Sequence, residues 1–141
     1  MAASLVCGDT QCRVSSVLNK DVKQFGKKFL FDSNEETCWN SDQGQSPWSW
    51  VLLQFPREVL VSEVKVQFQG GFSCRTCRLE GCLNEGGFTF ITDFYPEDNN
   101  SLQISFTLLL VSNKLKITFE NSADFFGRII VYSLDILGEK M

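Results

Sequence analysis

Residues 60–69 read LVSEVKVQFQ, and from Ser62 onward apolar and polar side chains alternate along this stretch. Successive side chains of a strand point to opposite faces of a sheet, so Val64, Val66 and Phe68 share one face and the polar side chains share the other. Residues 114–119, KLKITF, repeat the pattern with Leu, Ile and Phe on one face. Both stretches predict strands with one buried face.

The rest of the chain extends this β pattern. Further strands are predicted at Trp50–Phe55, Phe88–Phe94, Leu102–Phe106 and Arg128–Leu137. Pro56 is expected to end the first of these, since proline cannot donate to a sheet. The helical period is weak, and only a short helical turn is expected near Asp21–Gln24. Regularly spaced strands separated by turn residues predict an all-β antiparallel sandwich of about eight strands.

The composition excludes several function classes. The 141 residues include six Cys and no His, with a formal net charge of −4. Without His, the chain can form neither a Ser-His-Asp triad nor a Cys₂His₂ zinc site. The acidic balance disfavours a protein whose main task is to neutralise phosphates, so direct nucleic-acid binding is not expected. No pair of carboxylates has a recognisable hydrolase setting, and we do not expect an enzyme.

One domain is expected over residues 1–141. The N-terminal residues lack the basic and apolar segments of a signal peptide. The longest apolar run, residues 108–111, is far shorter than the roughly 20 residues that span a bilayer. We therefore expect a protein of the nucleus and cytoplasm with no membrane contact, whose cysteines remain free thiols.

A short segment before the predicted strands resembles a known family. Residues 30–42, LFDSNEETCWNSD, resemble the signature of the discoidin-like, galactose-binding-like (F5/8 type C-like) domains. That signature is an apolar pair, Asp, a tight turn, Thr, one residue, Trp and then Ser-Asp. Residues 14–19 resemble the family's first strand and residues 126–138 its closing strand, so the resemblance covers about residues 12–138. It implies a jelly-roll β-sandwich with a ligand surface at one loop end.

Five separate blocks resemble a narrower family of small vertebrate proteins that associate with an orphan nuclear receptor. These blocks are residues 24–28, 35–44, 68–73, 93–102 and 124–128. The resemblance implies a non-catalytic protein-interaction module that represses the transcriptional activity of that receptor. The partner is known only through this resemblance, and the sequence leaves the oligomeric state open.

The loop that begins at Asp32 has two interpretations. In some discoidin-like domains the matching Asp and Thr bind calcium, which makes the Asp32 carboxylate, the Asn34 region and the Thr37 carbonyl the candidate ligands here. Calcium takes about 6–8 oxygen ligands, so one carboxylate with a few carbonyls predicts a weak site. In the other interpretation Asp32 closes the turn by accepting backbone N–H bonds. A calcium- or carbohydrate-binding module is therefore the alternative function, and no cofactor is certain.

The ligand surface implied by the resemblance is formed by the segments 42–48, 70–81 and 122–127. Aromatic and Arg side chains dominate the centres of protein interfaces. The candidate partner-binding residues in these segments are Trp48, Phe72, Arg75, Arg78, Phe125 and Phe126. In the alternative interpretation, Trp48, Phe125 and Phe126 pack under their own loops as part of the core.

Cys74, Cys77 and Cys82 form a C-x₂-C-x₄-C cluster beside Arg75 and Arg78. Structural zinc needs four Cys or His ligands, and a fourth ligand is missing nearby. A neighbouring Arg lowers the pKa of a thiol and can make it reactive. The expected placement is a surface loop, and the sequence leaves metal binding and redox activity open.

Two further motifs have simpler interpretations. Residues 106–110, FTLLL, match an F-x-x-L-L receptor box, but such boxes act as amphipathic helices and this one continues a β pattern. The only concentration of basic residues is Lys20, Lys23, Lys27 and Lys28, which is expected to be a solvated face.

Overall fold

The computed structural model describes residues 3–32, 34, 36–43, 48–82 and 87–140, with side chains for all of these except residues 48 and 106–110. The strands of these residues are β1 Ala3–Ser4, β2 Gln11–Val14, β3 Trp39–Asn40, β4 Trp48–Phe68, β5 Cys74–Cys82, β6 Thr89–Phe94, β7 Leu102–Ser122 and β8 Ile130–Lys140. Between β2 and β3 lie a 3-10 turn at Leu18–Lys20, the helix α1 at Val22–Phe25 and a second 3-10 turn at Lys27–Leu30. No helix in the described part of the chain is long and apolar enough to cross a membrane.

Two long strands organise the sheet. β4 and β7 are each 21 residues long and pair antiparallel along most of their length. β2 pairs with the first half of β4 and β8 with its second half, while β5 pairs with the second half of β7 and β6 with β5. The single hydrogen-bonded sheet therefore forms two layers, β2–β4–β7–β5–β6 and β1–β8–β4–β7, with β3 beside β8.

The inner faces of the two layers form the core. Phe119, in the part of β7 that belongs to the first layer, lies 5.9 Å from Trp39 on β3 between ring centroids. The same ring lies 5.8 Å from Phe68, at the end of β4 in the second layer. All three side chains are buried. The architecture is a jelly-roll β-sandwich of the galactose-binding-like class, as predicted.

The alternation that predicted the strands is confirmed, but their lengths differ. Val64, Val66 and Phe68 are buried, as the pattern at residues 60–69 predicts. Pro56 does not end its strand, because the register of β4 shifts between Gln54 and Val59 and proline is tolerated at such an irregularity. The strands predicted at residues 102–106 and 114–119 are two parts of β7, since β7 pairs with β4 across both.

Two predictions about local structure need correction. Residues 14–19 do not form a strand, because β2 ends at Val14. The next two side chains instead accept hydrogen bonds from backbone N–H groups elsewhere in the chain. Ser15 Oγ accepts from Trp50 N at 3.1 Å, and Ser16 Oγ accepts from Asp42 N at 2.9 Å. Residues 74–81 are not a loop but most of β5, which the sequence did not predict. The expected helical turn is present as α1, capped by the Asp21 side chain.

Candidate functional site

Three loops meet at one end of the sandwich, and we call residues 69–73, 95–101 and 123–129 together the loop end. The first two loops are joined where Gly70 N donates to Asn100 Oδ1 at 2.6 Å. The first and third are joined where Ala123 N donates to Ser73 O at 2.9 Å. These cross-loop bonds fix the loops relative to the sandwich.

The loop end carries a cluster of aromatic rings around one guanidinium group, formed by Phe72, Asp124, Phe125, Phe126 and Arg128. The Arg128 guanidinium carbon lies 4.9 Å from the Phe72 ring centroid and 5.9 Å from that of Phe126. The Phe125 and Phe126 rings meet edge to face, with centroids 5.3 Å apart. Phe125 is 93% exposed and Phe126 55% exposed. These two rings therefore do not pack as core, and they form an apolar surface open to a partner.

An ion pair holds the cluster in place. Arg128 Nε donates to Asp124 Oδ2 at 2.9 Å, and the backbone N–H of Arg128 donates to the same oxygen at 3.1 Å. The hydrogen bond from the Arg128 side chain lowers the pKa of Asp124 below its ordinary value, while Asp124 raises the pKa of Arg128. Ser122 Oγ accepts from Asp124 N and donates to Arg128 O, so it ties both ends of the loop together. Gly127 completes the turn with φ +82°, a conformation that favours glycine.

The predicted partner-binding residues fall into three groups. Phe72, Phe125 and Phe126 come together at the loop end. Arg75 and Arg78 lie on β5 rather than in a loop, and Arg75 directly follows Cys74, which pairs with Ser122 beside the loop end. Trp48 begins β4, and its side chain lies outside the described residues.

Arg78 already has partners on the sheet. Its guanidinium nitrogens lie 3.5 Å from Asp93 Oδ1 and 3.6 Å from Glu120 Oε1. Its guanidinium carbon is 5.9 Å from the Phe90 ring centroid. Arg78 therefore links β5 to β6 and β7, away from the rings around Arg128.

The sequence reasoning missed Asp124 and Arg128 as members of the site. The available signal was the stretch DFFGR at residues 124–128, in which Asp124 and Arg128 are four positions apart and the turn glycine lies between them. An acidic and a basic residue this close across a tight turn can pair, but the pattern alone does not show that the guanidinium also contacts Phe72.

The Asp32 loop brings the three residues predicted to bind calcium into contact with one another, through the hydroxyl and backbone N–H of Thr37. Asn34 N donates to Asp32 Oδ1 at 3.1 Å, and Thr37 Oγ1 donates to Asp32 Oδ2 at 2.5 Å. Thr37 N and Oγ1 both donate to Asn34 O. Both oxygens of the carboxylate are thus used to close the turn. Calcium binding here stays a prediction.

The cysteines of the C-x₂-C-x₄-C cluster are not in a surface loop. Cys74, Cys77 and Cys82 are buried on β5, because this segment pairs with β7 over its length. Cys74 Sγ and Cys77 Sγ are 3.3 Å apart, and burial raises the pKa of Cys77 well above its ordinary value. Over the described residues, no group of three or more His, Cys, Asp or Glu is placed to hold a metal ion.

The F-x-x-L-L stretch at residues 106–110 lies on β7, so the prediction of a strand rather than a helix is confirmed. Its side chains lie outside the described residues.

Comparison with known proteins identifies the family. No protein-family model matches the chain. The protein named nuclear receptor 2C2-associated protein from Danio rerio is 68% identical over 142 residues, covering 99% of both chains. Those from Xenopus laevis and Homo sapiens are 62% and 55% identical, covering 98–100% of both chains. The chain belongs to the nuclear receptor 2C2-associated protein family.

Solved structures of similar shape confirm the fold. A family 32 carbohydrate-binding module from Clostridium perfringens, in complex with GalNAc-β-1,3-galactose, has a TM-score of 0.81 at 14% identity, covering 95% of this chain and 99% of the module. The F5/8 type C domain of a Bacteroides fragilis protein has a TM-score of 0.80 at 10% identity, covering 99% of this chain and 98% of the domain. At such low identity the likeness is one of fold alone.

Proposed function

We propose that the chain is a non-catalytic interaction module that associates with nuclear receptor 2C2 through its loop end and lowers the transcriptional output of that receptor. The name shared by relatives at 55–68% identity supports the association. The exposed Phe125 and Phe126 pair, backed by Arg128, is the observation that supports the loop end as the contact surface.

The geometry suits protein recognition. Fully burying a Phe side chain contributes about 1.5–3 kcal/mol, and Phe125 retains nearly all of its surface for that purpose. Because the Asp124–Arg128 pair and the Ser122 bonds already order the loop, little conformational entropy remains to be lost on binding. Aromatic and Arg side chains are the types enriched at interface hot spots.

A binding measurement with purified nuclear receptor 2C2 tests the surface. We expect Phe125→Ala/Phe126→Ala to weaken binding by about tenfold or more, since hot-spot truncations cost this much. Phe90→Ala is the matched control, because Phe90 is 56% exposed, nearly the same as Phe126, but lies on β6. Equal losses in both variants, with circular dichroism unchanged, would show that the loop end is not the contact surface.

Arg78→Ala tests whether β5 belongs to the same surface. We expect receptor binding within about twofold of the unmodified chain, because the guanidinium is occupied by Asp93 and Glu120. A large loss would extend the contact surface from the loop end onto β5 and restore the sequence-based prediction for Arg78.

A receptor-driven reporter gene tests the repressive role. The unmodified chain should lower reporter output, and Phe125→Ala/Phe126→Ala should restore it while the protein still reaches the nucleus. The expected distribution between nucleus and cytoplasm is scored by microscopy in the same cells. Repression that survives the loss of receptor binding would separate the two activities and contradict the proposal.

A cation site at the Asp32 loop is the second candidate, because Asp32, Asn34 and Thr37 do converge. Carbohydrate binding is the related alternative, which only the shared fold of the carbohydrate-binding module supports. Calcium binding to the folded state raises the melting temperature, which makes it measurable.

A further inference from the structure

Two neighbouring cavities share a border formed by Lys27 and Lys28, and we call them together the lysine groove. The first has a volume of about 280 Å³ and is lined by Val14, Val17 and Val22 beside the lysines. The second, about 370 Å³, continues on the other side of Lys27 and Lys28 towards Phe31. The loop-end cluster shares no residue with this groove.

The first cavity is apolar and open. Val22 is 60% exposed, while Val14 and Val17 are half-buried. Gly26 allows this shape, because a Cβ at Gly26 would lie 2.5 Å from the Val22 carbonyl oxygen. The close turn between α1 and the following 3-10 turn therefore places Val22 and Lys27 on the same rim. A partner's apolar side chain can enter a cavity of this size.

The rim of the groove is positively charged in an otherwise acidic protein. Lys23, Lys27 and Lys28 line the cavities, Lys20 lies three residues before Lys23 in the sequence, and all four side chains are exposed. Over the part of the chain that the structure describes, no ion pair joins any of the four to a carboxylate. Within residues 20–28 the one acidic residue is Asp21, whose carboxylate accepts from Gln24 N as the cap of α1.

The lysines are also partly fixed. Lys27 Nζ donates to Cys12 O at 2.6 Å, and Lys28 Nζ lies 5.0 Å from the Phe29 ring centroid. Fixed cations beside an apolar cavity select a ligand that carries both carboxylates and an apolar side chain, since each half of the site then finds its complement.

We propose that the lysine groove binds an acidic amphipathic peptide, whose apolar side chain enters the Val14–Val22 cavity while its carboxylates face the lysines. A concave cavity is a better match for a single apolar side chain than for the flat surface of a bilayer. The net charge of −4 disfavours nucleic acid, which requires a broadly basic surface. This partner surface goes beyond receptor binding at the loop end and does not depend on it.

Fluorescence anisotropy with the full chain tests the groove. The probe is a fluorescein-labelled synthetic peptide of Glu and Asp with Phe and Leu at helical i, i+3 and i+4 positions. We expect saturable binding that weakens with added salt. The variant Lys23→Glu/Lys28→Glu should weaken binding by about tenfold or more, because attraction becomes repulsion at two positions of the rim.

Two controls separate the groove from general electrostatics. Arg57→Glu/Lys114→Glu makes the same change in net charge, but neither residue lines the two cavities. It should leave binding within about threefold, since charges outside the groove act on the peptide only through solvent that salt screens. Val22→Ser should weaken the amphipathic probe but not a peptide of Glu and Asp alone, because Val22 contributes to the apolar half of the site.

Several results would overturn the proposal. One is the absence of saturable binding by the unmodified chain, and another is an equal effect of the two double charge reversals. Sedimentation with phosphatidylserine vesicles, or binding to a single-stranded DNA oligomer, without peptide binding would assign the lysines to a different class of partner. Circular dichroism of each variant ensures that lost binding is not lost folding.

Discussion

Replacing Asp124 by Asn should destabilise the loop end in a pH-dependent way. The Asp124 carboxylate accepts from Arg128 Nε at 2.9 Å and from the Arg128 backbone N–H at 3.1 Å, with a longer contact of 3.4 Å to Nη2. The Asp124 side chain is 10% exposed and that of Arg128 27%. Asn preserves the shape and one acceptor oxygen but removes the charge, so the variant isolates the electrostatic part of the interaction.

The expected loss can be bounded from this geometry. Hydrogen bonds to charged groups contribute about 1.5–3 kcal/mol and exposed ion pairs about 0.2–1 kcal/mol. Since this pair is mostly shielded from solvent, Asp124→Asn should lower the free energy of unfolding by about 1–2 kcal/mol at neutral pH. A loss of this size corresponds to a decrease of roughly 3–6 °C in Tm for a chain of this length.

The sign of the pH dependence follows from the lowered pKa of Asp124. A carboxyl whose pKa is lower in the folded than in the unfolded state stabilises the fold above its unfolded pKa. That stabilisation is lost as the pH falls through the folded value. The difference between the unmodified chain and Asp124→Asn should therefore be constant above the ordinary carboxyl value of 3.8 and should close in more acidic solution.

Urea denaturation across this pH range measures the difference. The variant Arg128→Gln and the double variant complete a cycle, in which the coupling between the two positions should be about 1 kcal/mol at neutral pH. The reasoning is refuted if Asp124→Asn unfolds at the same urea concentration as the unmodified chain at neutral pH. It is also refuted if the difference between them persists in acid below the pKa of Asp124.

Three further outcomes are expected. Gly127→Ala should cost about 1 kcal/mol in urea denaturation, because φ is +82° while a Cβ there would meet nothing within 4 Å; an unchanged midpoint would contradict this. Asp32→Asn should lower Tm with or without calcium, since the carboxylate closes its own loop. If calcium also binds there, millimolar calcium should raise the Tm of the unmodified chain but not that of the variant. An unchanged Tm of the unmodified chain in calcium would reject the calcium prediction. Cys7 should react with iodoacetamide before Cys77, because Cys7 is exposed and its hydrogen bond with Thr10 lowers its pKa, whereas burial raises that of Cys77; mass spectrometry showing equal labelling would contradict the assignment.

The fold was predictable because the alternation of apolar and polar residues along its strands indicates which face of each strand is buried. Val64, Val66 and Phe68 on β4 and Leu115, Ile117 and Phe119 on β7 alternate with polar side chains and fill the core, whereas Leu102 and Ile104 on β7 are exposed although their stretch also alternates. Where strands are buried on one face only, this period of two fixes both the element and its orientation. Strand ends were harder, since the shift between Gln54 and Val59 carries β4 past Pro56 and depends on pairing with β7 rather than on local sequence.

β5 shows why part of the site could not be predicted. Its sequence, CRTCRLEGC, has two Arg and a Gly and little β propensity, so the sequence predicts a loop. Pairing with β7 on one side and β6 on the other makes it a strand despite that composition. Arg75 and Arg78 therefore lie on a strand and not in a loop. The role of Arg128 was not predicted either, because its contact with Phe72 joins two loops that are far apart in sequence.

The loop-end cluster can be altered with little effect on the core. The carbohydrate-binding module and the F5/8 type C domain share this sandwich at 14% and 10% identity, so very different sequences adopt the same fold. The bonds that shape the 123–129 loop are largely internal: Asp124 to Arg128, and Ser122 to both. Phe125 and Phe126 are exposed on that loop and add little to the core. Their substitution should therefore alter recognition at almost constant stability, whereas substitution of Asp124 or Arg128 should alter both.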